Sequence, residues 1–371
     1  MKKRIVMLLT NSFFPDPRVY KEAKYLISRG FDVTILCWYR EDDVVLPTKE
    51  NVDGINIVRF HIVSKIGSGF KQIPAFFQYI MECRRYLRKN PCDYLHGNDL
   101  DGSMTALIAR NKKTPFVFDM HEFYEDVGCG HEIKRRFLRF ATIFLIKKSI
   151  AAIRTNDLYL RKPYKSIQKK LVLLKNLPDR NLLKYLPKTK SDVFRVGYHG
   201  AVRSQIPEFT TLFEAVKDLN DVRVDIYGTG PDLPQLRNVA AKYDNVFLHG
   251  RFDGARQLSE LYANTDVEFA GYRPYSDTRE EQEVVKFFEC ILTGTPIILT
   301  KVYTKMKKEI EMYNYGLTCD TRSVEEVQDC ILKMKNDLEF RKKCSKAEIE
   351  QSYKYDWNEA VKVLDRVYRW C

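Results

Sequence analysis

Short apolar runs alternate with segments of helical spacing from the first residues of the chain. Ile5–Leu9 and Val33–Trp38 are apolar runs, and Val19–Ser28 between them has helical spacing and ends just before Gly30. Strand, helix and strand at this length are typical of a parallel βαβ unit. Because the alternation continues to Ile150–Ile153, the first half of the chain predicts one doubly wound α/β domain.

The same alternation restarts after a polar, basic stretch at residues 175–192. Apolar runs at Arg195–Tyr198, Val222–Tyr227 and Val246–Leu248 are separated by segments of helical spacing. We therefore predict an α/β protein with two Rossmann-like, doubly wound parallel-sheet domains over residues 1–185 and 186–350, followed by a helical tail over 351–371. Ligands of open parallel sheets bind at the carboxyl ends of the strands, so we expect a site in a cleft between the domains.

Charge and cysteine usage narrow the class of protein. The formal net charge of +13 favours an anionic partner, such as a phosphorylated substrate, an acidic membrane surface or nucleic acid. The nine cysteines contain no Cys-x-x-Cys pair, which is typical of reduced thiols in a cytoplasmic protein and argues against a zinc site. No stretch approaches the roughly 18–20 apolar residues of a membrane span. We expect a cytoplasmic protein without a bound metal.

Two glutamates eight positions apart, Glu281 and Glu289, precede the apolar run Ile297–Leu299. Val284–Leu292 predicts a helix, with Glu281 in the loop before it and Glu289 in its first two turns. Glu289 could accept hydrogen bonds from a ribose diol and Glu281 from a sugar, while Lys286 adds a cation near phosphates at the helix N-terminus. Solvated acids at the start of a helix would give the same pattern, so both interpretations stay open.

Glycine-containing loops follow two strands of the second half. Gly200 and Arg203 lie in one loop, where small residues let backbone N–H groups approach a ligand and Arg203 could bind a diphosphate bidentately. Gly228 and Gly230 follow the next strand, without the third glycine of a dinucleotide-binding motif. These loops are either ligand-facing or simply tight turns.

Polar residues also follow three predicted strands of the first half. His121 and Glu122 close an apolar strand, Asp99 follows another, and Ser12 and Arg18 come after the first. Active sites of parallel sheets lie at these strand ends. His121 could contact substrate hydroxyls or phosphate, with Glu122 orienting it or an acceptor, although a structural histidine remains the alternative.

An amphipathic helix is predicted within residues 131–153. Its apolar stripe consists of Ile133, Phe137, Phe140 and Phe144. Basic residues, including Lys134, Arg135 and Arg139, lie elsewhere around it, and Lys147 and Lys148 close it. Such a helix can lie on an anionic membrane, and an ordinary core-facing helix carries the same stripe.

The order and spacing of several motifs resemble the retaining glycosyltransferases of the GT-B fold, family 4 type (glycosyl transferases group 1). The similarity covers essentially the whole chain. Its strongest stretches are 16–22, 98–101, 119–122, 228–232, 245–250, 261–266 and 286–298. The resemblance implies two Rossmann-like domains that clasp a nucleotide-diphosphate sugar, with the tail helix crossing back to the first domain.

The resemblance also implies roles for individual residues. Catalysis would involve His121, Glu281 and Arg203, of which Arg203 binds the diphosphate and Glu281 the donor sugar. On the donor side, the resemblance places Glu289 at the ribose and Arg251 and Phe252 at the base. The local pattern, as argued above, adds Lys286, Gly200, Gly228 and Gly230 near the phosphates. Residues on the acceptor side would be Ser12, Arg18, Asp99 and Glu122. No cofactor or metal is implied beyond a UDP- or GDP-type sugar as the substrate.

The implied reaction is retaining transfer of a hexose-type sugar. Together with the basic amphipathic helix, the motifs of the cleft favour a lipid-linked or surface-polysaccharide acceptor, with peripheral contact at the inner face of an anionic membrane. The chain departs from the family pattern at Gln282–Val284, where glycines are common, and at Lys286, where proline is common. One alternative is a nucleotide-sugar 2-epimerase of the same fold. Another is a non-catalytic protein that binds anions or nucleic acid, although no nucleic-acid motif is present.

Overall fold

The computed structural model describes residues 2–13, 16–40, 45–65, 69–126, 132–253, 256–273 and 283–368. The chain forms two compact units, one from residues 1–175 and 361–371 and the other from residues 176–360. The units divide after Lys175 and after Ala360, whereas the domain bounds expected from the sequence lie after residues 185 and 350.

The described residues of the first unit form an eight-stranded sheet with helices on both faces. Its strands are β1 (Arg4–Leu9), β2 (Asp32–Tyr39), β3 (Lys49–Val52), β4 (Ile55–His61), β5 (Tyr94–Asn98), β6 (Phe116–Met120), β7 (Ala151–Arg154) and β8 (Leu171–Leu173). Its first helices are α1 (Pro17–Ser28), α2 (Ile73–Lys89), α3 (Asp99–Ala109) and α4 (Glu132–Lys148).

The strand order in this sheet is β3-β4-β2-β1-β5-β6-β7-β8, with every pair parallel except β3–β4. Right-handed crossovers place α2, α3 and α4 on one face and α1 on the other. A core that includes Leu8, Trp38, Tyr79, Phe116 and Leu145 fills the face under α2–α4. The order reverses between β1 and β5, so a site is expected at the carboxyl ends of these strands.

In the second unit, the described residues form a six-stranded sheet in which every pair is parallel. Its strands are β9 (Phe194–His199), β10 (Val222–Tyr227), β11 (Val246–Gly250), β12 (Val267–Ala270), β13 (Ile297–Thr300) and β14 (Gly316–Cys319). Its helices are α5 (Ile206–Val216), α6 (Leu233–Ala240), α7 (Leu258–Ala263), α8 (Val285–Thr293), α9 (Thr304–Tyr313), α10 (Val324–Asn336), α11 (Leu338–Gln351) and α12 (Trp357–Ala360). The order β11-β10-β9-β12-β13-β14 reverses between β9 and β12.

The tail is not the single helix expected from its spacing. It consists of a 3₁₀ turn at Ser352–Tyr355, then α12, and then α13 (Val363–Val367), which belongs to the first unit. Asp356 interrupts the helix because its side chain accepts from the backbone N–H of Asn358 at 2.8 Å, as a residue at a helix start does. Among the described residues, no helix has the length and apolar content needed to cross a membrane.

Candidate functional site

A buried ion cluster lies at the point where the strand order of the second sheet reverses. His199 ends β9, and its backbone N–H donates to Glu268 Oε1 at 3.1 Å while its ring Nδ1 lies 2.8 Å from Glu268 Oε2. Glu268 is fully buried in β12. Burial raises the pKa of Glu268, but the charges of His199 and Lys286 outweigh burial and hold it below its ordinary value. Glu268 is therefore the anion around which this corner of the sheet is built.

Lys286, near the start of α8, is the cation of this cluster. Its Nζ lies 3.3 Å from Glu268 Oε1 and 4.3 Å from the centroid of the Tyr198 ring. Burial lowers the pKa of Lys286, and Glu268 and its other neighbours raise it above the ordinary value, so the amine is charged. A Cβ on Gly200 would lie 3.0 Å from Nζ. The Lys286 side chain thus packs against the backbone of the Gly200 loop. Its direct contact with phosphate stays a prediction.

Glu289 lies one turn further along α8, half-buried. Its Oε2 accepts a hydrogen bond from the Tyr262 hydroxyl at 2.9 Å, and the Tyr262 ring packs against His199 with centroids 4.7 Å apart. Burial raises the pKa of the Glu289 carboxyl. Tyr262 therefore fixes one oxygen of Glu289 and leaves the other for a ligand.

The predicted glycines bring three loop backbones into contact. Gly200 N–H donates to the Tyr227 carbonyl at 2.9 Å, and Gly228 N–H donates to the Gly250 carbonyl at 2.6 Å. A Cβ on Gly228 would lie 1.8 Å from Gly200 O, and one on Gly230 would lie 2.1 Å from a backbone oxygen of the same loop. Side chains are sterically excluded at both positions, so the loops after β9, β10 and β11 form a surface of backbone groups.

Arg203 is exposed in the loop that begins at Gly200. Within the described ranges, its guanidinium makes no hydrogen bond or ion pair. Phe252, after β11, stands edge-on to His199 and Tyr227, at centroid distances of 6.4 and 6.5 Å. Arg251 beside it is exposed. Glu281 lies outside the described residues, so its predicted role at the donor sugar stays a prediction.

A second buried ion cluster lies in the first unit around Asp119 in β6. Its carboxylate accepts two hydrogen bonds from Arg18, from Nε at 3.2 Å and from Nη2 at 2.9 Å. Arg18 also lies 3.0 Å from Glu22 Oε1 and donates to the Leu174 carbonyl at 3.2 Å. Only 4% of Arg18 is exposed. The Arg18 guanidinium, predicted to lie on the acceptor side, thus binds buried partners within the first unit.

His121 is held by a carboxylate at each ring nitrogen. Nε2 lies 2.9 Å from Asp119 Oδ2, and Nδ1 lies 3.3 Å from Asp99 Oδ2. Burial lowers the pKa of His121, but Asp99 and Asp119 outweigh it and raise that pKa to about 10. Asp99 has the strained positive φ of 60° and also accepts from the Tyr124 hydroxyl at 2.8 Å. His121 is therefore an imidazolium that carries positive charge at this edge of the sheet.

Three further residues complete this cluster. Glu22 and His96 are fully buried, and His96 Nδ1 lies 2.7 Å from the hydroxyl of Tyr368, which follows α13. Burial and the neighbouring Asp119 raise the pKa of Glu22 to about 7. Glu22, His96 and Asp119 offer ligand atoms of the kind that a divalent cation accepts. Arg18 already supplies the positive charge there, so the set fits an internal ion network better than a metal site.

The two remaining predicted residues lie at the same strand ends. Ser12 follows β1, and its carbonyl accepts from Arg59 Nε at 2.8 Å. Glu122 is exposed, and its carbonyl accepts from the Tyr159 hydroxyl at 2.7 Å. Within the first unit, Ser12, Asp99, His121 and Glu122 thus all follow the carboxyl ends of neighbouring strands, as predicted from the alternation.

The sequence interpretation missed Glu268 and Tyr262. Glu268 had a signal, because a charged residue inside the apolar run Val267–Ala270 must be paired once that run is buried. Tyr262 lies in the matching stretch 261–266, but the sequence does not show its contact with Glu289, which depends on how α7 and α8 pack.

Two family models match most of the chain. Residues 15–156 match the glycosyl transferase 4-like domain, and residues 196–351 match the glycosyl transferases group 1. No curated protein matches the chain by sequence.

Solved structures share the fold across the whole chain at low sequence identity. A sucrose-phosphate synthase from Thermosynechococcus elongatus aligns with a TM-score of 0.79 and 14% identity, over 99% of this chain and 98% of that chain. Anabaena HepE in complex with UDP and glucose aligns with a TM-score of 0.70 and 13% identity, over 99% of both chains. A trehalose-6-phosphate protein from E. coli, bound with UDP-2-fluoro glucose, aligns with a TM-score of 0.69 and 10% identity, over 99% of both chains. The two parallel-sheet units, the matched models and these neighbours agree: the chain belongs to the group 1 glycosyltransferases of the GT-B fold.

Proposed function

We propose that the protein transfers a hexose-type sugar from a nucleotide-diphosphate donor to a lipid-linked or polysaccharide acceptor with retention of configuration. The observation that carries the proposal is the loop surface of the second unit, where backbone groups, the exposed Arg203 and the half-buried Glu289 follow neighbouring strands and the start of α8. A helix N-terminus and an arginine suit a diphosphate, and a carboxylate suits the ribose diol.

In the reaction that we propose, the acceptor hydroxyl forms a bond to the anomeric carbon as the bond from that carbon to the phosphate oxygen breaks. The acceptor proton moves to the leaving phosphate on the same face. Arg203 and the N-terminus of α8 stabilise the charge that develops on that phosphate, so transfer proceeds without a bound metal ion. Glu268 neutralises Lys286, which leaves Arg203 as the principal cation offered to the diphosphate.

The first unit takes the acceptor in this proposal. His121 has a carboxylate at each ring nitrogen, so it cannot accept the proton of the acceptor hydroxyl. Its role in the proposal is electrostatic, as a positive charge at the acceptor edge of the first unit. An anionic, lipid-linked acceptor would suit the basic chain, whose formal net charge is +13.

Thermal shift with UDP-, GDP- and ADP-sugars tests the donor part of the proposal. A ligand that binds only the native state raises the melting temperature by mass action, so one nucleotide should stabilise the protein. Arg203→Ala should remove most of that shift, whereas Arg237→Ala, at an exposed arginine on α6, should preserve it. Transfer of labelled sugar, unaffected by EDTA and retaining the donor's anomeric configuration by NMR, completes the test. No stabilisation by any nucleotide sugar would contradict the proposal.

The charge of His121 predicts a particular pH dependence. The pKa of His121 is raised, so its contribution to stability is complete below its unfolded pKa of about 6.5 and is lost as the pH rises through about 10. Asp99→Asn removes one carboxylate and should lower that pKa, so kcat/KM should decline between about pH 7 and 9, where the wild-type His121 stays charged.

The NMR titration of His121 and the pH profile of kcat/KM check this expectation together. Asp365→Asn removes a partly exposed carboxylate that pairs with Arg29 in the same unit, and it should leave both curves unchanged. A His121 resonance that titrates near its ordinary pKa in the wild type would refute the doubly held imidazolium.

A further inference from the structure

The stripe of α4 that the sequence left ambiguous is exposed. Ile133, Phe137, Phe140 and Phe144 are 85, 64, 69 and 42% exposed, and we call them the phenylalanine face. The opposite side of α4 packs into the core, where Ala141, Thr142, Leu145 and Ile146 are buried. The helix therefore presents two apolar sides, and packing of the first unit accounts for only one. Large exposed apolar patches of this kind mark interaction sites.

Positive charge surrounds the phenylalanine face. The basic residues of α4 are Lys134, Arg135, Arg136, Arg139, Lys147 and Lys148, and its one acidic residue is Glu132. Lys148 Nζ lies 5.8 Å from the Phe144 ring centroid. A second copy of this chain docking by the same face would bring two such basic helices together, which charge repulsion disfavours. An anionic surface with an apolar interior matches both the charge and the phenylalanines.

A second helix of the same layer adds to this surface chemistry. α2 lies on the same face of the sheet as α4, with α3 between them. On α2, Ile73, Phe77 and Met81 are 57, 60 and 43% exposed, and they follow one another at about one helical turn, so they share one side of the helix. Apolar stripes on two helices of one layer suit a broad, flat partner better than a single inserted peptide.

The phenylalanine face is tied to the acceptor edge of the first unit. α4 follows the loop after β6, so its N-terminal half lies at the sheet edge where His121 is found. Arg139 Nε donates to Glu125 Oε2 at 2.6 Å, and Glu125 also accepts from the Tyr164 hydroxyl at 2.5 Å. Tyr124, next along the same loop, holds Asp99. The helix and the His121 cluster are thus connected through one short segment.

We propose that the phenylalanine face docks α4 lengthwise on an anionic lipid bilayer and so holds the His121 edge of the first unit at the membrane surface. The phenylalanine rings enter the boundary of the acyl chains, and the flanking lysines and arginines contact the lipid headgroups. The consequence for the acceptor rests on the proposed function, whereas the docking itself does not.

Vesicle co-sedimentation without nucleotide sugar tests the docking. The full chain should pellet with vesicles of phosphatidylcholine and phosphatidylglycerol and only weakly with phosphatidylcholine alone. The double variant Phe137→Ser, Phe140→Ser should weaken the partition by on the order of tenfold for each ring removed. Met312→Ser and Tyr353→Ser remove side chains that are 69 and 66% exposed in the second unit, and they should bind as the wild type does.

Charge is tested separately with Lys134→Glu, Arg136→Glu, which should abolish the preference for anionic vesicles. The proposal is overturned if the wild type does not pellet, or if the phenylalanine variant binds equally well. It is also overturned if light scattering shows a wild-type dimer that this variant dissociates, because the partner is then a second copy. Thermal shift with nucleotide sugars on the same variants reports donor binding independently, so failure of docking and failure of the proposed function are distinguishable.

Discussion

Asp119→Ala should lower the free energy of unfolding of the first unit by about 3–5 kcal/mol, because it leaves a buried guanidinium without its main partner. Arg18 donates twice to Asp119 and is 4% exposed, so water cannot replace the lost carboxylate. Glu22 already lies 3.0 Å from Arg18 through Oε1, so the variant keeps one carboxylate partner where the wild type has two. Urea unfolding at pH 7, followed by a probe in the first unit, measures the change.

Matched variants separate burial from charge. Glu82→Ala breaks an exposed pair with Arg85 on α2 and should cost no more than about 1 kcal/mol. Asp119→Asn keeps the shape of the side chain, and its loss of unfolding free energy should fall between those of the other two variants.

Burial raises the pKa of Asp119, but Arg18 and His121 outweigh it and hold that pKa well below its ordinary value. Its contribution is present above its unfolded pKa and is lost as the pH falls through the folded one. A loss below about 1 kcal/mol for Asp119→Ala would show that the network is not stabilising.

Glu289→Ala should reduce kcat/KM for the preferred nucleotide sugar by roughly a hundredfold, which corresponds to about 3 kcal/mol. A carboxylate that accepts from two ribose hydroxyls makes two charge-assisted hydrogen bonds, each worth about 1.5–3 kcal/mol. Tyr262 holds only Oε2, so Oε1 is available to the ligand. Steady-state kinetics with labelled donor provide the measurement.

Two further substitutions sharpen the Glu289 experiment. Tyr262→Phe removes the hydroxyl that orients Glu289. It should also lower kcat/KM, by a smaller amount that corresponds to about 1 kcal/mol. Glu260→Ala, at an exposed acid on the neighbouring helix α7, should leave the kinetics unchanged. If Glu289→Ala changes kcat/KM no more than Glu260→Ala does, the ribose is bound elsewhere.

The sequence predicted most central strands because their residues are apolar on both faces, as buried parallel strands require. It missed β3, whose first three residues, Lys49, Glu50 and Asn51, are polar, as suits an antiparallel strand at the edge of the sheet. It also missed β8, because Leu171–Leu173 is too short to show a period. The tail was misjudged because its helical spacing does not reveal the interruption at Asp356.

For the site, the sequence predicted which residues follow the strand ends, because chain order and alternation determine that. It could not predict that Arg18 forms a buried ion pair with Asp119. The two residues lie far apart in sequence and meet only through the pairing of β1, β5 and β6. The stripe on α4 shows the same limit. Helical spacing identifies an apolar side, but only the packed structure distinguishes a side facing the core from one facing outward.

The ion network of the first unit also has a consequence for biosynthesis. His96 contacts the hydroxyl of Tyr368, and Tyr94 donates to the Tyr368 carbonyl at 3.3 Å, so residues 361–368 complete a unit whose other residues end at Lys175. On the ribosome, residues 1–175 are translated first. Their buried partner Tyr368 emerges only after all of the second unit has been made. Folding from the N-terminus can therefore build the sheet early, while the closing of its ion network is among the last events of synthesis.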